Sequence, residues 1–62
     1  MPRFVEFTDV QSRRVAVNAE FITLVTPDHN DYNRTCIQTT NGNCIVVTES
    51  VERVEEILKG AH

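Results

Sequence analysis

The sequence predicts an α+β domain: about five short, strongly twisted antiparallel strands, curled toward a half-barrel, then one C-terminal helix. Three observations carry this. Short runs rich in Val, Ile, Phe and Thr, separated by polar breaks, fill residues 3–48. An Asn41-Gly42 pair between two of these runs marks a hairpin. From Ser50 onward the apolar residues recur with a helical period instead of alternating.

Arg3 to Thr8 forms the first strand, alternating through Val5, Glu6 and Phe7. Asp9 to Ser12 is a polar connection with no glycine to define its turn. Arg13 to Asn18 forms the second strand, with Val15 and Val17 on one face and Ala16 on the other. Asn18 can cap a single helical turn over Ala19 and Glu20. Phe21 to Thr26 forms a third strand, apolar on both faces. Pro27 ends it, because proline cannot donate to the sheet ladder. Asp28 to Asn33 is a polar loop. Arg34 to Thr40 and Asn43 to Thr48 form the fourth and fifth strands. Asn41-Gly42 reads as a two-residue type I′ turn, which pairs Thr40 with Asn43.

The helix runs from Ser50, its cap, to Gly60, which suits the position just past its end. Glu49 and Glu52 lie near the positive end of the helix dipole and Lys59 near the negative end. Val51, Val54, Ile57 and Leu58 form one apolar stripe, and Glu55 with Lys59 makes a favourable i,i+4 pair.

A chain of 62 residues has room for a single domain, 1–62. Ordering costs about 1.5 kcal/mol per residue, which nearly cancels the gain from so small a core. A disulfide, a metal or a partner chain is the usual remedy. The net charge of -3 argues against nucleic acid, whose binders concentrate Lys and Arg on one face. No apolar run approaches the roughly 20 residues of a membrane helix. The first ten residues lack the apolar core of a secretory signal, so a cytoplasmic location is expected. Without such a signal, the glycosylation pattern Asn33-Arg34-Thr35 is read as chance.

The two cysteines are read as small, unbridged thiols. With a two-residue turn, Thr39 opposes Cys44 and Cys36 opposes Val47. Cys36 and Cys44 then point to opposite faces. A slip that places Thr40 opposite Cys44 puts them on one face but roughly 13 Å apart along the sheet. Neither register allows a disulfide, whose Cα atoms lie about 4.4–6.8 Å apart.

His29, Asp31 and Tyr32 are the polar-site candidates of the Asp28–Asn33 loop. Their spacing, with Asp28 or Cys36 added, matches no zinc pattern. Asn33 stands where a calcium loop needs glycine, and Thr39 where it needs glutamate. No metal or cofactor is expected. The acids of the helix lie opposite its apolar stripe and read as a solvated face. So short a chain has little volume for a catalytic cleft, and the reading is non-enzymatic. An enzyme would need a site shared between subunits, with His29, Asp31, Tyr32 and Cys36 as its donors.

One feature is in surplus. Ile22 and Leu24 oppose Phe21 and Val25, and Ile45 and Val47 oppose Cys44 and Val46, so both faces are apolar. A helix of about ten residues spans only about 15 Å and can cover one of them. A second copy is expected on the other, most simply in a two-fold dimer. Phe21, Val25, Cys44 and Val46 are the interface candidates.

The residues Asn18, Ile22, Pro27, Asp28, Thr35, Ile37, Asn41, Gly42, Val47, Glu49 and Ser50 form a pattern. It resembles that of the small bacterial FlbD-like proteins, some of them linked to flagella and swarming. The resemblance spans roughly Arg13 to Leu58. The chain departs from the pattern at "DVQS" and at the inserted "HNDYN". The resemblance implies a cytoplasmic accessory protein that acts through contacts and has no catalytic residues. The leading reading is therefore a self-associating interaction or regulatory module, with motility as a candidate process. The alternative is a barrel-like module for a small ligand or nucleic acid, in which Arg3, Arg13, Arg14 and Arg34 converge on one face.

Overall fold

The computed structural model describes residues 3–60. Its elements are strand β1 (Phe4–Thr8), strand β2 (Arg14–Asn18), a 3-10 turn (Ala19–Phe21), strands β3 (Ile22–Pro27), β4 (Thr35–Thr39) and β5 (Cys44–Val47), and helix α1 (Val51–Gly60). The fold is α+β, as the pattern predicts. The five strands form two antiparallel sheets, β1-β2 and β3-β4-β5, which do not close into a barrel. Among the described residues no helix is long and apolar enough to cross a membrane.

Alternation places Val5 and Phe7 of β1 and Val17 of β2 inward, where they meet Ile37, Val47 and Val54. These side chains are buried, and Ile22, Val25, Ile45, Ile57 and Leu58 pack around them. Helix α1 lays Val54, Ile57 and Leu58 of its predicted stripe on this core, with Val54 fully buried. Ser50 caps the helix, its Oγ accepting from Arg53 N at 3.2 Å. Asn18 caps the 3-10 turn, its Oδ1 accepting from Glu20 N at 3.0 Å. Gly60 is the last residue of the helix and has no positive φ, where the sequence predicts a left-handed residue just past the helix end. The ion pair on the helix joins Arg53 to Glu56 at 3.3 Å.

The two sheets are joined where β1 ends and β5 ends. Asp9 bridges Val47, and Thr48 N donates to Thr8 O at 2.8 Å. Glu49 completes the joint: its two carboxylate oxygens accept from Thr8 N at 2.9 and 3.0 Å. Its carbonyl accepts from Thr35 Oγ1 at 2.7 Å, which satisfies the one buried polar side chain among the described residues. Glu49, placed near the helix start, also acts as a clip across the sheets.

Three expectations need correction. The Asn41-Gly42 turn is not type I′. Thr39 N donates to Asn43 O at 3.0 Å and Gly42 N to Thr39 O at 2.9 Å, which closes a loop of Thr40, Asn41 and Gly42. Gly42 has φ +83° while Asn41 stays at negative φ. Type I′ needs positive φ at both positions. This is the alternative hairpin closure, a type I turn followed by a left-handed glycine.

The second correction follows from that one-residue change. Cys36 opposes Val46, and Gln38 opposes Cys44. Cys36 and Cys44 therefore share the outer face as diagonal neighbours, with Cα atoms 6.0 Å apart, and they form a disulfide. Neither of the two registers considered above was the one adopted.

The third concerns Val25. A bulge between Ile22 and Leu24 breaks the alternation of β3. Ile22 and Val25 both pack on the core, and Leu24 points outward at 47% exposure. Val25 thus packs, half-buried, on the core side with Ile22 instead of on the face opposite it.

Candidate functional site

The four proposed interface residues are separated by the fold. Val25 faces the core. Cys44 and Val46 lie on the outer face of the three-stranded sheet, Cys44 exposed and Val46 half-buried. Phe21 lies elsewhere, at the end of the 3-10 turn and 54% exposed.

Phe21 belongs to a groove of about 450 Å³. The Phe4 and Asn18 end of the β1-β2 ribbon forms one side, and the β4-β5 hairpin forms the other. Ala16, Val17 and Ile45 supply the remaining apolar surface, while Thr39, Thr40, Asn41 and Asn43 supply amides and hydroxyls. No lining residue is ionisable. Phe4, 63% exposed, occupies an outward position of β1, opposite Asn18. The turn of Ala19–Phe21 is fixed by hydrogen bonds from Ala19 N to Arg3 O at 2.7 Å and from Thr40 N to Phe21 O at 2.9 Å. The second of these ties the aromatic side of the groove to the hairpin tip. Phe4 was not among the candidates drawn from the sequence. The signal for it was present: in the alternation of β1 it falls on the face opposite Val5 and Phe7.

The polar candidates do not assemble into a site. His29 is exposed and Tyr32 is 82% exposed. Asp31 is committed to its own turn. Its Oδ1 accepts from Asn33 N at 2.9 Å, its carbonyl accepts from Arg34 N at 2.9 Å, and Arg34 Nε lies 3.7 Å from its Oδ2. Among the described residues no three His, Cys, Asp or Glu side chains gather as a metal would require.

Three of the four arginines sit against a carboxylate: Arg13 pairs with Asp9 at 3.1 Å, Arg14 with Glu6 at 2.9 Å, and Arg34 with Asp31 at 3.7 Å. Asp9 also accepts from the backbone N–H groups of Arg13 and Gln11, each at 2.9 Å. These donors, the Arg13 N–H first, hold the Asp9 carboxyl below its ordinary value.

No family model, curated protein or solved structure matches this chain.

Proposed function

We propose that this protein is a non-enzymatic interaction module that self-associates, and that the aromatic groove is its contact surface. The observation that carries this reading is one groove that holds two phenylalanines, 63% and 54% exposed, and no ionisable residue. Burying exposed aromatic surface gains about 25 cal/mol per Å². An uncharged groove can be covered without desolvating an unpaired charge. That matters for a chain of net charge -3, whose copies carry the same net sign. The resemblance to FlbD-like proteins supports a role exercised through contacts and makes the motility apparatus a candidate setting.

Size-exclusion chromatography with light scattering tests the reading. A mass above the 7.1 kDa of one chain is expected at micromolar concentration. Phe21→Ser is expected to return it to one chain, while Leu24→Ser, on the outer face, leaves it unchanged. A one-chain mass at every concentration overturns self-association.

A second reading has one observation in its favour: about 450 Å³ is within the range of small-molecule sites. A neutral ligand that stacks on Phe4 and bonds to the asparagine amides would fit the lining. Nucleic acid has less support, because Arg13, Arg14 and Arg34 each sit against a carboxylate.

A further inference from the structure

The groove's hairpin wall carries Thr39, Thr40, Asn41, Asn43 and Ile45, and its register is weakly specified by apolar pattern. Strand β5 reads Cys44-Ile45-Val46-Val47, apolar at every position. A one-residue slip would exchange one apolar face for another. Asn41-Gly42 is also competent as a two-residue turn, which is the turn that such a slip would produce. In the slipped register Cys36 and Cys44 point to opposite faces. Only the observed register brings them together.

We infer that the Cys36–Cys44 disulfide is a redox-sensitive register lock on the β4-β5 hairpin. The far end of β5 has its own anchors, the Asp9 bridge and the hydrogen bonds of Thr48 and Glu49 to Thr8. The tip end has its turn hydrogen bonds, the Thr40 N to Phe21 O bond and the disulfide. The bond lies on the outer face, with Cys44 exposed and Cys36 half-buried, so an external thiolate meets the Cys44 sulfur first. Attack there forms a mixed disulfide at Cys44 and expels the Cys36 thiolate, which takes a proton. A second thiol of the reductant then resolves the mixed disulfide and frees Cys44. The protein gains two electrons and two protons, and a dithiol of the dithiothreitol class is oxidised to its disulfide. A reducing compartment holds the pair as thiols and an oxidising one as the bond. The hairpin tip thereby reports the redox state around it. The lock does not rest on the groove reading above, and its test below does not depend on association.

Amide hydrogen exchange of the oxidised and dithiothreitol-reduced protein, followed by NMR, tests this independently of association. On reduction, Thr39, Thr40 and Gly42 should exchange about ten- to a hundredfold faster, the range that closing so short a loop supports. Thr8 and Thr48, at the sheet joint, should change by less than about twofold. Equal acceleration at the tip and the joint overturns the lock, because the bond is then only a general staple. No change at the tip overturns it as well, as does an air-equilibrated protein that titrates as two free thiols. Deleting Thr40 supplies the second arm. It leaves Asn41-Gly42 as a two-residue turn that keeps Thr39 opposite Asn43, and there reduction should no longer accelerate the tip.

Discussion

In the β1-β2 hairpin, Asp9 N donates to Arg13 O and Ser12 N to Asp9 O; in the β4-β5 hairpin, Thr39 N donates to Asn43 O and Gly42 N to Thr39 O. Both loops hold three residues, and both place their third residue in the left-handed region, Ser12 at φ 65° and Gly42 at φ 83°. They differ in what secures that shape. The first loop has no glycine and is pinned by a carboxylate, with Asp9 accepting from Gln11 N, Arg13 N and Arg13 Nε. The second has its glycine and is pinned by a covalent bond a few residues down the strands. One turn geometry is thus reached by two kinds of chemistry, and the first responds to protons where the second responds to reductants.

The largest break removes what the hairpins share. Phe7 of β1 and Ile37 of β4 are both fully buried in one core. Phe7→Ala should cost about 3–5 kcal/mol and Ile37→Ala about 2–5 kcal/mol. Either loss rivals the whole stability of so small a domain, so urea titration should find both variants largely unfolded. Phe4→Ala on the outward face of the same β1 should shift the midpoint far less.

Next in size is the covalent pin. Cys44→Ser should lower stability by about 2–3 kcal/mol, the loop-closure value for so short a span. Denaturation of the reduced wild type should show the same loss. An unchanged midpoint would mean that the second hairpin is held by its hydrogen bonds alone.

The joint between the hairpins comes third. Glu49→Gln weakens a charge-assisted acceptor for Thr8 N, at a cost of about 1–2 kcal/mol. Calorimetry checks this, and Glu52→Gln on the exposed helix face is the control. The left-handed residues follow. A Cβ at Gly42 would meet nothing within 4 Å, so Gly42→Ala tests backbone conformation alone. It should cost about 1 kcal/mol. Ser12→Gly should gain somewhat less than about 1 kcal/mol, since glycine also gains freedom in the unfolded chain. Opposite signs at equivalent places in two turns would sharpen the comparison most.

The smallest effect is that of acid. The folded carboxyl of Asp9 is held below its ordinary 3.8. Its contribution is therefore complete above that value and is lost as pH falls through the lower, folded one. An NMR titration of the Asp9 carboxyl should show the depressed midpoint, and the first hairpin should loosen below it while the second does not. A midpoint at or above 3.8 would remove the electrostatic pin.

Much of this was legible in the residues. The Asn18 and Ser50 caps, the Val51, Val54, Ile57 and Leu58 stripe, and the inward Val5, Phe7 and Val17 all follow from local rules of period and hydrogen bonding. The groove was legible in part. Phe21 stands out in the sequence, whereas Phe4 does not, and Ala16 and Ile45 carry no sign of lining one groove. They come from strands far apart in the chain, and no local pattern records that meeting. Glu49 was read through the helix that follows it, because its true partner, Thr8, is 41 positions away.

By itself, then, the sequence determined which segments are strands, where the helix starts and which of its faces is buried. These depend on neighbours within a turn or a pleat. Tertiary structure alone decided the hairpin register, the turn of Val25 toward the core and the meeting of Cys36 with Cys44. Strands β3 and β5 are apolar on both faces, so a shift of one residue leaves their local pattern equally satisfied. The choice falls to contacts across the molecule: Val47 seated in the core, Thr35 bonded to Glu49, and Thr48 bonded to Thr8.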